Sequence, residues 1–330
     1  MVPVRLIEKH LLTRLQSLTD PQVMSVGTSL STMGALTDAT FSRIRTEVGM
    51  RGKNLDISFD YSQYPFRASI GTIPVIKETD DIIVISKPAG TVVSLTSDLG
   101  DIRVRKSEPV TLGPSPELQR IVHAELPFPI SRDSQFGYGI LHRIDKDTSG
   151  CLAIAKSFAA FYDLRWQFAC RRVEKEYLCM VQGRLDSIGK WSTIDSSITT
   201  IKHSKGTNLR IHSSVDEDVD GKHALTEYCP LAIYSDPKDG SEHTLVKVRI
   251  HTGRSHQIRV HMASVGHPLM FDTKYGTSAW KIFHRLFLHA HTLRFLMPGS
   301  DEMISVSAPL PDDLREIVSS LDLKEGSSLS

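Results

Sequence analysis

The chain of 330 residues is poor in cysteine: it has only four, and no two of them stand in a CxxC or other short paired spacing. Such a set is typical of reduced intracellular thiols, and it provides neither a disulfide framework nor a zinc knuckle. A strong excess of one charge is also absent, because the formal net charge is only +1. Any site for a polyanion must therefore be a local patch.

Long hydrophobic runs are absent as well. The longest, at residues 82–85, is far too short to cross a bilayer, so we expect no membrane segment. The first 20 residues combine leucines with basic residues in the manner of an amphipathic presequence, but Glu8 and Asp20 make an ordinary surface helix an equal alternative. We expect an intracellular protein, cytoplasmic or mitochondrial, that is a monomer.

Periodicity and composition change along the chain and divide it into three parts. Residues 1–70 have weak periodicity and many hydroxyl side chains, and they predict a partly helical N-terminal extension. Residues 71–322 have the alternating apolar pattern of a single large domain. Residues 323–330 predict a disordered tail, because they contain "EGSSLS" and little that could be buried.

Strands and helices are mixed within the large domain. Alternating apolar residues predict strands near residues 82–85, 151–157, 175–183, 223–234 and 243–250. Ser157 should cap a helix over residues 158–173, with Arg171 and Arg172 in its last turn. The polar region between Asp186 and Gly221, inside the insert 184–222, predicts a solvated insertion loop. Because no steady βαβ alternation appears, we expect an α+β fold with a mixed, mostly antiparallel central sheet flanked by helices.

A second helix is predicted over residues 256–265, with Ser255 as its cap and Arg259 one position off the buried stripe. Four histidines in this region raise the alternative of a metal-dependent hydrolase. Two helical ligands need a spacing of three or four residues, whereas the two histidines inside the helix are five apart. We therefore expect no metal site from the following set: His251, His256, His261 and His267.

Two acids follow each other closely in "HRIDKDTSG", residues 142–150. As a glycosidase pair, Asp145 and Asp147 would have to share a face, but a turn before Thr-Ser-Gly makes them diverge. Asp147 suits that turn, because short polar side chains bond to the local backbone there. Asp145 is not needed for it. Held beside Arg143 and Arg259, Asp145 would stay ionised and is a candidate nucleophile that needs no metal.

Six motifs in order resemble the pseudouridine synthases of the RluA type. "LHRIDKDTSGCLAIAKS" is similar to the hallmark motif of that family, and "HTGRSHQIRVHMASVGHPLMFDTKYG" is similar to its longest one. "EKEYLCMVQG", "HALTEYCPL", "LHAHTLRF" and "DDIIVISKPAG" also match. The resemblance covers residues 75–310. It departs from the family at Phe271, where glycine is usual, and in the unmatched insert; residues 1–70 have no clear S4-type RNA-binding pattern.

The resemblance implies a pseudouridine synthase fold and an isomerase that acts on rRNA or tRNA without cofactor or metal. It implies that Asp145 is the nucleophile, that Tyr177 lies against the target base, and that Arg259 pairs with the nucleophile. Arg143 would help to displace the target nucleotide. The alternative is an RNA-binding ribosome-assembly factor that has the same fold and no activity. With a net charge near zero, we expect the RNA to follow a local basic surface formed by Arg143, Arg171, Arg172, Lys175, Arg254 and His256.

Overall fold

The computed structural model describes residues 14–56, 59–93, 118–205, 208–215, 221–276 and 285–327. Most of the presequence-like segment lies outside these residues. The helices of the described part are α1 (Asp20–Thr32), α2 (Asp38–Lys53), α3 (Leu118–Glu125), α4 (Phe158–Ala169), α5 (Gln257–Ser264) and α6 (Asp312–Ser319). None of them is long and apolar enough to cross a membrane.

One large mixed sheet organises the chain, and its strands are β1 (Ser69–Ile70), β2 (Ile73–Glu78), β3 (Ile82–Lys87), β4 (Ser149–Ala155), β5 (Glu174–Gln182), β6 (Ser192–Asp195), β9 (Leu225–Ser235), β10 (Glu242–Ile250), β11 (Leu288–Leu296), β12 (Met303–Ser307) and β13 (Asp322–Gly326). Between β6 and β9, β7 (Ile198–Lys205) and β8 (Asn208–Val215) form a separate hairpin. The order across the sheet is β1-β2-β3-β4-β11-β5-β10-β9-β13. Among the described pairs only β4 and β11 are parallel, so the predicted α+β class with a mostly antiparallel sheet is confirmed.

The helix after β4 forms where the sequence predicts it. The side chain of Ser157 accepts a hydrogen bond from the backbone N–H of Ala160, so the predicted cap is confirmed. Asp56 reinforces this end by accepting from the backbone N–H groups of Phe158 and Ala159. The helix ends at Ala169, before the two arginines that were expected in its last turn.

The N-terminal helices pack on α4. Val23 and Leu30 of α1 and Ile44 of α2 share a core cluster with Trp166 of α4. Gly27 permits the approach of α1, because a Cβ at that position would lie 2.4 Å from the Trp166 ring. Both α1 and α2 are therefore buried on one side, while a domain boundary near residue 70 stays a prediction.

Two expectations of disorder are wrong. The insert 184–222 was expected to be a solvated loop, but it contains β6, which pairs with β9, and the β7–β8 hairpin. The tail was expected to be disordered from residue 323, yet β13 pairs with β9 as far as Gly326. Every side chain of β13 is exposed, so backbone hydrogen bonds hold this edge strand. The sequence of such an exposed strand lacks the alternation of apolar residues that predicts a strand, which explains why the tail was expected to be disordered.

Candidate active site

A cavity of about 90 Å³ opens where the turn before β4 meets the start of α5. Strands β5 and β10 contribute to its wall through Tyr177 and Ile250. Of the nine residues that the sequence proposed for catalysis or RNA contact, six line this cavity: Arg143, Asp145, Tyr177, Arg254, His256 and Arg259. The cavity therefore brings together all three proposed catalytic side chains.

A tight turn carries Asp145. The backbone N–H of Thr148 donates to the carbonyl oxygen of Asp145 at 3.1 Å, so that Lys146 and Asp147 occupy the two central positions. Asp147 is exposed, and its carboxylate has no hydrogen bond to a described residue. The expected side-chain bonds of Asp147 to the local backbone are therefore absent from the described part of the chain, although its place in the turn is as predicted.

Gly150 lets the turn lie against the centre of the sheet. Its φ is +114°, and a Cβ there would lie 2.1 Å from the carbonyl oxygen of Ala290 in β11. A side chain at this position would thus push β4 and β11 apart. The two strands pair through Ser149 with His289 and Gly150 with Ala290, directly after the turn that carries Asp145.

The carboxylate of Asp145 is 25% exposed and faces the cavity. Its only described ion pair joins Oδ2 to the Nη1 of Arg259 at 4.0 Å, which is too long for a direct hydrogen bond. No hydrogen bond from a described residue reaches this carboxylate. Its position is therefore set by the backbone of the turn and by a long-range attraction to Arg259.

Arg259 is held by Asp272, which the sequence did not single out. The guanidinium donates from Nε to Oδ2 at 2.7 Å and from Nη2 to Oδ1 at 2.8 Å, a bidentate pair with a wholly buried carboxylate. Burial alone would raise the pKa of Asp272, but the hydrogen bonds and charge of Arg259 outweigh it and hold this pKa below its usual value. Arg259 also lies over the ring of Tyr275, 5.0 Å from its centroid. It is thus fixed in place before any substrate arrives.

Tyr177 lies on β5 and is only 7% exposed. It shares a core cluster with Cys179 and Val181, while Met180 belongs to another cluster, as strand alternation predicts. Of these residues only Tyr177 lines the cavity; Cys179 and Val181 do not. Burial, and to a lesser degree the charge of Asp145, raises the pKa of Tyr177 well above its usual value. The hydroxyl is therefore protonated at neutral pH.

The predicted cap of the second helix is wrong. The helix begins at Gln257, and the residue before it, His256, is left-handed with φ +57°. In place of a bond to Ser255, the side-chain oxygen of Gln257 accepts a hydrogen bond from the backbone N–H of Arg254 at 3.0 Å. His256 lies in the cavity wall with its Nδ1 2.7 Å from the hydroxyl of Tyr275. Burial lowers the pKa of His256 to about 4, so the ring is neutral at pH 7.

The proposed basic surface is divided. Arg143 and Arg254 lie at the cavity, and Arg171 is close enough to lower the pKa of both Arg254 and Lys175, although burial is the larger cause for each. Arg172 does not line the cavity. Its Nη2 is 2.6 Å from Asp38 of α2, and its guanidinium lies over the ring of Phe41.

The four histidines that raised the metal alternative have separate partners. His251 pairs with Glu227, His261 contacts Thr226 and the carbonyl of Ser196, His267 contacts the carbonyl of Gln182, and His256 contacts Tyr275. Within the described ranges, no group of three or more His, Cys, Asp or Glu side chains is arranged to hold a metal ion.

Sequence reasoning missed three residues around the cavity: Asp272, Tyr275 and Lys87. The first two stand in "FDTKYG", inside the longest motif, so the motif contained a signal that went unused. Lys87 stands in "DDIIVISKPAG", another of the six motifs, although a lysine at the end of a strand is ordinarily solvated.

Comparison with known proteins shows the family of the chain. Residues 81–264 match the family model described as RNA pseudouridylate synthase. The chain belongs to this family. It is 34% identical over 269 residues to the ribosomal large subunit pseudouridine synthase D of Vibrio cholerae, which covers 78% of this chain and 72% of that protein. The enzyme of the same name from Xanthomonas campestris is also 34% identical, over 75% of this chain and 69% of its own.

Solved structures support the fold of this pseudouridine synthase. Human RNA pseudouridylate synthase domain containing 1 superposes with a TM-score of 0.57 at 23% identity, and the match covers 80% of this chain and 94% of the human one. Human RNA pseudouridylate synthase domain containing 4 has a TM-score of 0.51 at 18% identity, over 86% and 99%. The protein is thus an isomerase of the RluA type with the pseudouridine synthase fold.

Proposed function

We propose that this pseudouridine synthase converts uridine to pseudouridine in structured RNA, rRNA or tRNA, with Asp145 as the nucleophile. The observation that supports this most is that Asp145, Tyr177 and Arg259 line one cavity. The relatives from Vibrio cholerae and Xanthomonas campestris are named for the large ribosomal subunit, so its rRNA is the first substrate class to test.

The reaction needs what these residues offer. The N1–C1′ bond of uridine breaks, the base turns, C1′ bonds to C5, the C5 proton is lost and N1 gains a proton, so no electrons and no atoms are gained overall. The carboxylate of Asp145 can attack C1′ or promote formation of a glycal. Arg259, fixed by Asp272, attracts that carboxylate without hydrogen-bonding it, which leaves its oxygens available.

Tyr177 would hold the detached base. A buried ring offers it a flat face, and a protonated hydroxyl can donate to a base carbonyl or to the group that takes the C5 proton. The base must leave its stack to reach the cavity, at a cost of a few kcal/mol. Arg143, exposed at the cavity edge, would take part in displacing it.

Substitution of the two turn acids tests the nucleophile. We expect Asp145→Asn to abolish pseudouridine formation in a single-turnover assay while RNA affinity and melting temperature stay near those of the wild type, because an amide has the same shape but does not attack C1′. Asp147→Asn is the matched control and should be much milder, because its carboxylate is exposed and unbonded among the described residues. Single-turnover activity of Asp145→Asn near the wild-type rate would exclude the assignment.

The RNA surface can be tested through salt. With a formal net charge of +1, a local patch must supply the phosphate contacts, so affinity should fall steeply with salt concentration. Arg254→Gln should reduce the slope of log affinity against log salt by about one. Arg172→Gln should reduce it less, since that guanidinium already pairs with Asp38 and covers Phe41. An affinity that is independent of salt would contradict the proposal.

If the protein is instead an inactive assembly factor, we expect RNA binding without modification. Such a protein would bind rRNA fragments with the same salt dependence but leave every uridine unchanged. Carbodiimide mapping of rRNA from cells with and without the protein separates the two, because only an active enzyme adds modified positions.

A further inference from the structure

A second cavity, of about 540 Å³, lies between α1 and α4, and we call it the α1 cavity. Ligand sites in proteins ordinarily have volumes of about 300–1,000 Å³. Helix α1 contributes Met24, Ser25 and Thr28 to the wall. The side formed by α4 and the segment before β4 is largely aromatic and contains four rings: Phe136, Phe161, Tyr162 and Phe168. The N-terminal extension therefore closes a pocket over an aromatic surface of the large domain.

The wall of the α1 cavity also includes a cation, Arg165 of α4. Its Nη1 donates to the carbonyl oxygen of Leu141 at 3.3 Å, and burial lowers the pKa of the guanidinium below its usual value. The acid in the same wall, Asp20, is already bound. Its Oδ1 accepts from Arg51 at 2.7 Å and its Oδ2 from the hydroxyl of Tyr162 at 2.6 Å. A guanidinium beside a carboxylate that another arginine holds favours an anionic ligand.

The α1 cavity adjoins the segment that leads to Asp145. The ring of Phe168 packs on that of His142 with 5.0 Å between the centroids, and the next residue, Arg143, lines the active-site cavity. Leu141, whose carbonyl binds the arginine, is only four residues before Asp145. Four extended residues span at most about 14 Å. The two cavities are therefore close enough for a short stretch of one RNA strand to reach both.

Cations continue from one cavity to the other. Burial is the main cause that lowers the pKa of His142, and the charges of Lys175 and Arg165 add to it, so both cations lie near this ring. Arg171 in turn is near Lys175 and near Arg254 of the active-site cavity. This row of positive charge suits the phosphates of a strand that passes from the active site to the α1 cavity.

We propose that the α1 cavity binds one unstacked nucleotide of the substrate RNA, outside the target uridine, with its base on the aromatic wall and its phosphate at Arg165. Proteins that hold single-stranded RNA combine a cationic groove with aromatic rings on which bases stack, whatever the base. The inference rests on the proposed function, because the strand is the one that places uridine in the active site. The N-terminal extension then contributes to RNA binding as a wall of this site.

Filling the α1 cavity tests binding without any assay of activity. Ser25 and Ser29 are both exposed on α1, but only Ser25 lines the cavity, so Ser25→Trp and Ser29→Trp form a matched pair. Fluorescence anisotropy with labelled octauridylate measures the dissociation constant. It should rise by about fivefold or more in Ser25→Trp, as the loss of one base stack predicts, and by less than about twofold in Ser29→Trp.

Substitution of Arg165 tests the phosphate contact. In Arg165→Gln, the slope of log affinity against log salt for octauridylate should fall by about 0.7, the value for one phosphate of a single strand. Arg43→Gln is the control, because Arg43 is an exposed cation of α2 that does not line the cavity, and it should leave the slope unchanged. A role of Arg165 only in holding Leu141 would lower the melting temperature and leave the slope at the wild-type value.

Crosslinking locates the nucleotide. A transcript of large-subunit rRNA that contains 4-thiouridine, irradiated with the wild-type protein and digested with trypsin, should be attached to the peptide of residues 166–171, which contains Phe168. Ser25→Trp should lose this crosslink, while Ser29→Trp should keep it. Mass spectrometry identifies the peptide.

Equal dissociation constants for Ser25→Trp and Ser29→Trp, an unchanged slope in Arg165→Gln, or a crosslink that persists in Ser25→Trp would each overturn the inference. If Ser25→Trp has no cooperative melting transition, Thr28→Trp replaces it, because Thr28 is also exposed and lines the cavity. Loss of the transition in both variants would show that the cavity belongs to the core and would overturn the inference as well. Should the wild type convert no uridine in any RNA offered, the proposed function fails, while binding and crosslinking still decide whether the α1 cavity holds a nucleotide.

Discussion

Tyr177 lines the cavity, and no described residue forms a hydrogen bond with its hydroxyl. A tyrosine that only filled the core would ordinarily pair this group. Its ring is nevertheless buried. The ring can therefore serve packing while the hydroxyl serves chemistry, and a substitution that removes only the hydroxyl separates the two.

We expect Tyr177→Phe to lower the single-turnover rate by on the order of a hundredfold or more, as the loss of a positioned acid–base group does. Melting temperature should change little, because no described hydrogen bond is lost, and RNA should still bind because the ring remains. Tyr234→Phe, which alters a buried tyrosine of β9 outside the cavity, is the control. An unchanged rate in Tyr177→Phe would leave the residue a structural one.

Single residues differ in how far the sequence reveals them. The place of Asp145 at the cavity was predictable, because a turn needs only one of the two acids in its motif. The bidentate partner of Arg259 was not, because Asp272 lies in a loop 13 residues further along, and only the folded chain shows that it meets the guanidinium. Lys87 was also missed, because its motif does not show that the ammonium is surrounded by backbone carbonyls.

Among the elements, the loop that follows α5 contains a conformation unusual for its residue. Phe271 has φ +63°, in the left-handed region that favours glycine, and it is buried in a core cluster with Met180 and Phe287. This accounts for the glycine that is usual in the resembling family. The backbone strain is on the order of 1–3 kcal/mol, whereas removing a buried phenylalanine costs about 3–5 kcal/mol. Packing therefore outweighs strain.

Two substitutions at Phe271 separate these effects. Phe271→Ala loses the packing and keeps the strain, while Phe271→Gly loses the packing but relieves the strain. We expect both to lower the free energy of unfolding, with glycine less harmful than alanine by about 1 kcal/mol. Urea unfolding measures the difference. Equal losses would show that the backbone here is not strained, and a stabilised glycine variant would show that the ring contributes less than its burial indicates.

Elements with an apolar signal were predicted well and the others were not. The capped helix α4 and the strands around Tyr177 followed from spacing. The hairpin β7–β8 and the edge strand β13 did not, because backbone pairing holds them and their polar sequences resemble loops. The start of α5 was misplaced because a left-handed His256 replaces an ordinary cap.

For the whole molecule, three histidines link stability to pH. Burial is the main cause that lowers the pKa of His142 to about 3 and those of His256 and His289 to about 4. Histidine in the unfolded chain titrates near 6.5, so between pH 6.5 and 4 the unfolded chain binds more protons than the folded one. The free energy of unfolding must therefore fall as pH is lowered through this range.

Between pH 7 and pH 5 we expect a loss on the order of 1–2 kcal/mol for each of these histidines. Urea unfolding at the two pH values measures the total. In His289→Asn, whose amide still has a donor and an acceptor for Ser149 and Ala308, the loss should be smaller by one histidine's share. Equal free energies of unfolding at pH 7 and pH 5 in the wild type would contradict the prediction.

The place of β11 in the sheet has a consequence for how the enzyme is made. This strand lies between β4, which follows the Asp145 turn, and β5, which carries Tyr177, although it is more than 100 residues later in the chain. Contacts of such long sequence separation form slowly, because a large loop must close first. A nascent chain that has emerged only as far as α5 already contains Asp145, Tyr177 and Arg259, but the strand that sets their spacing is still inside the ribosome. Catalytic competence should therefore appear abruptly, only after residue 296 has left the exit tunnel.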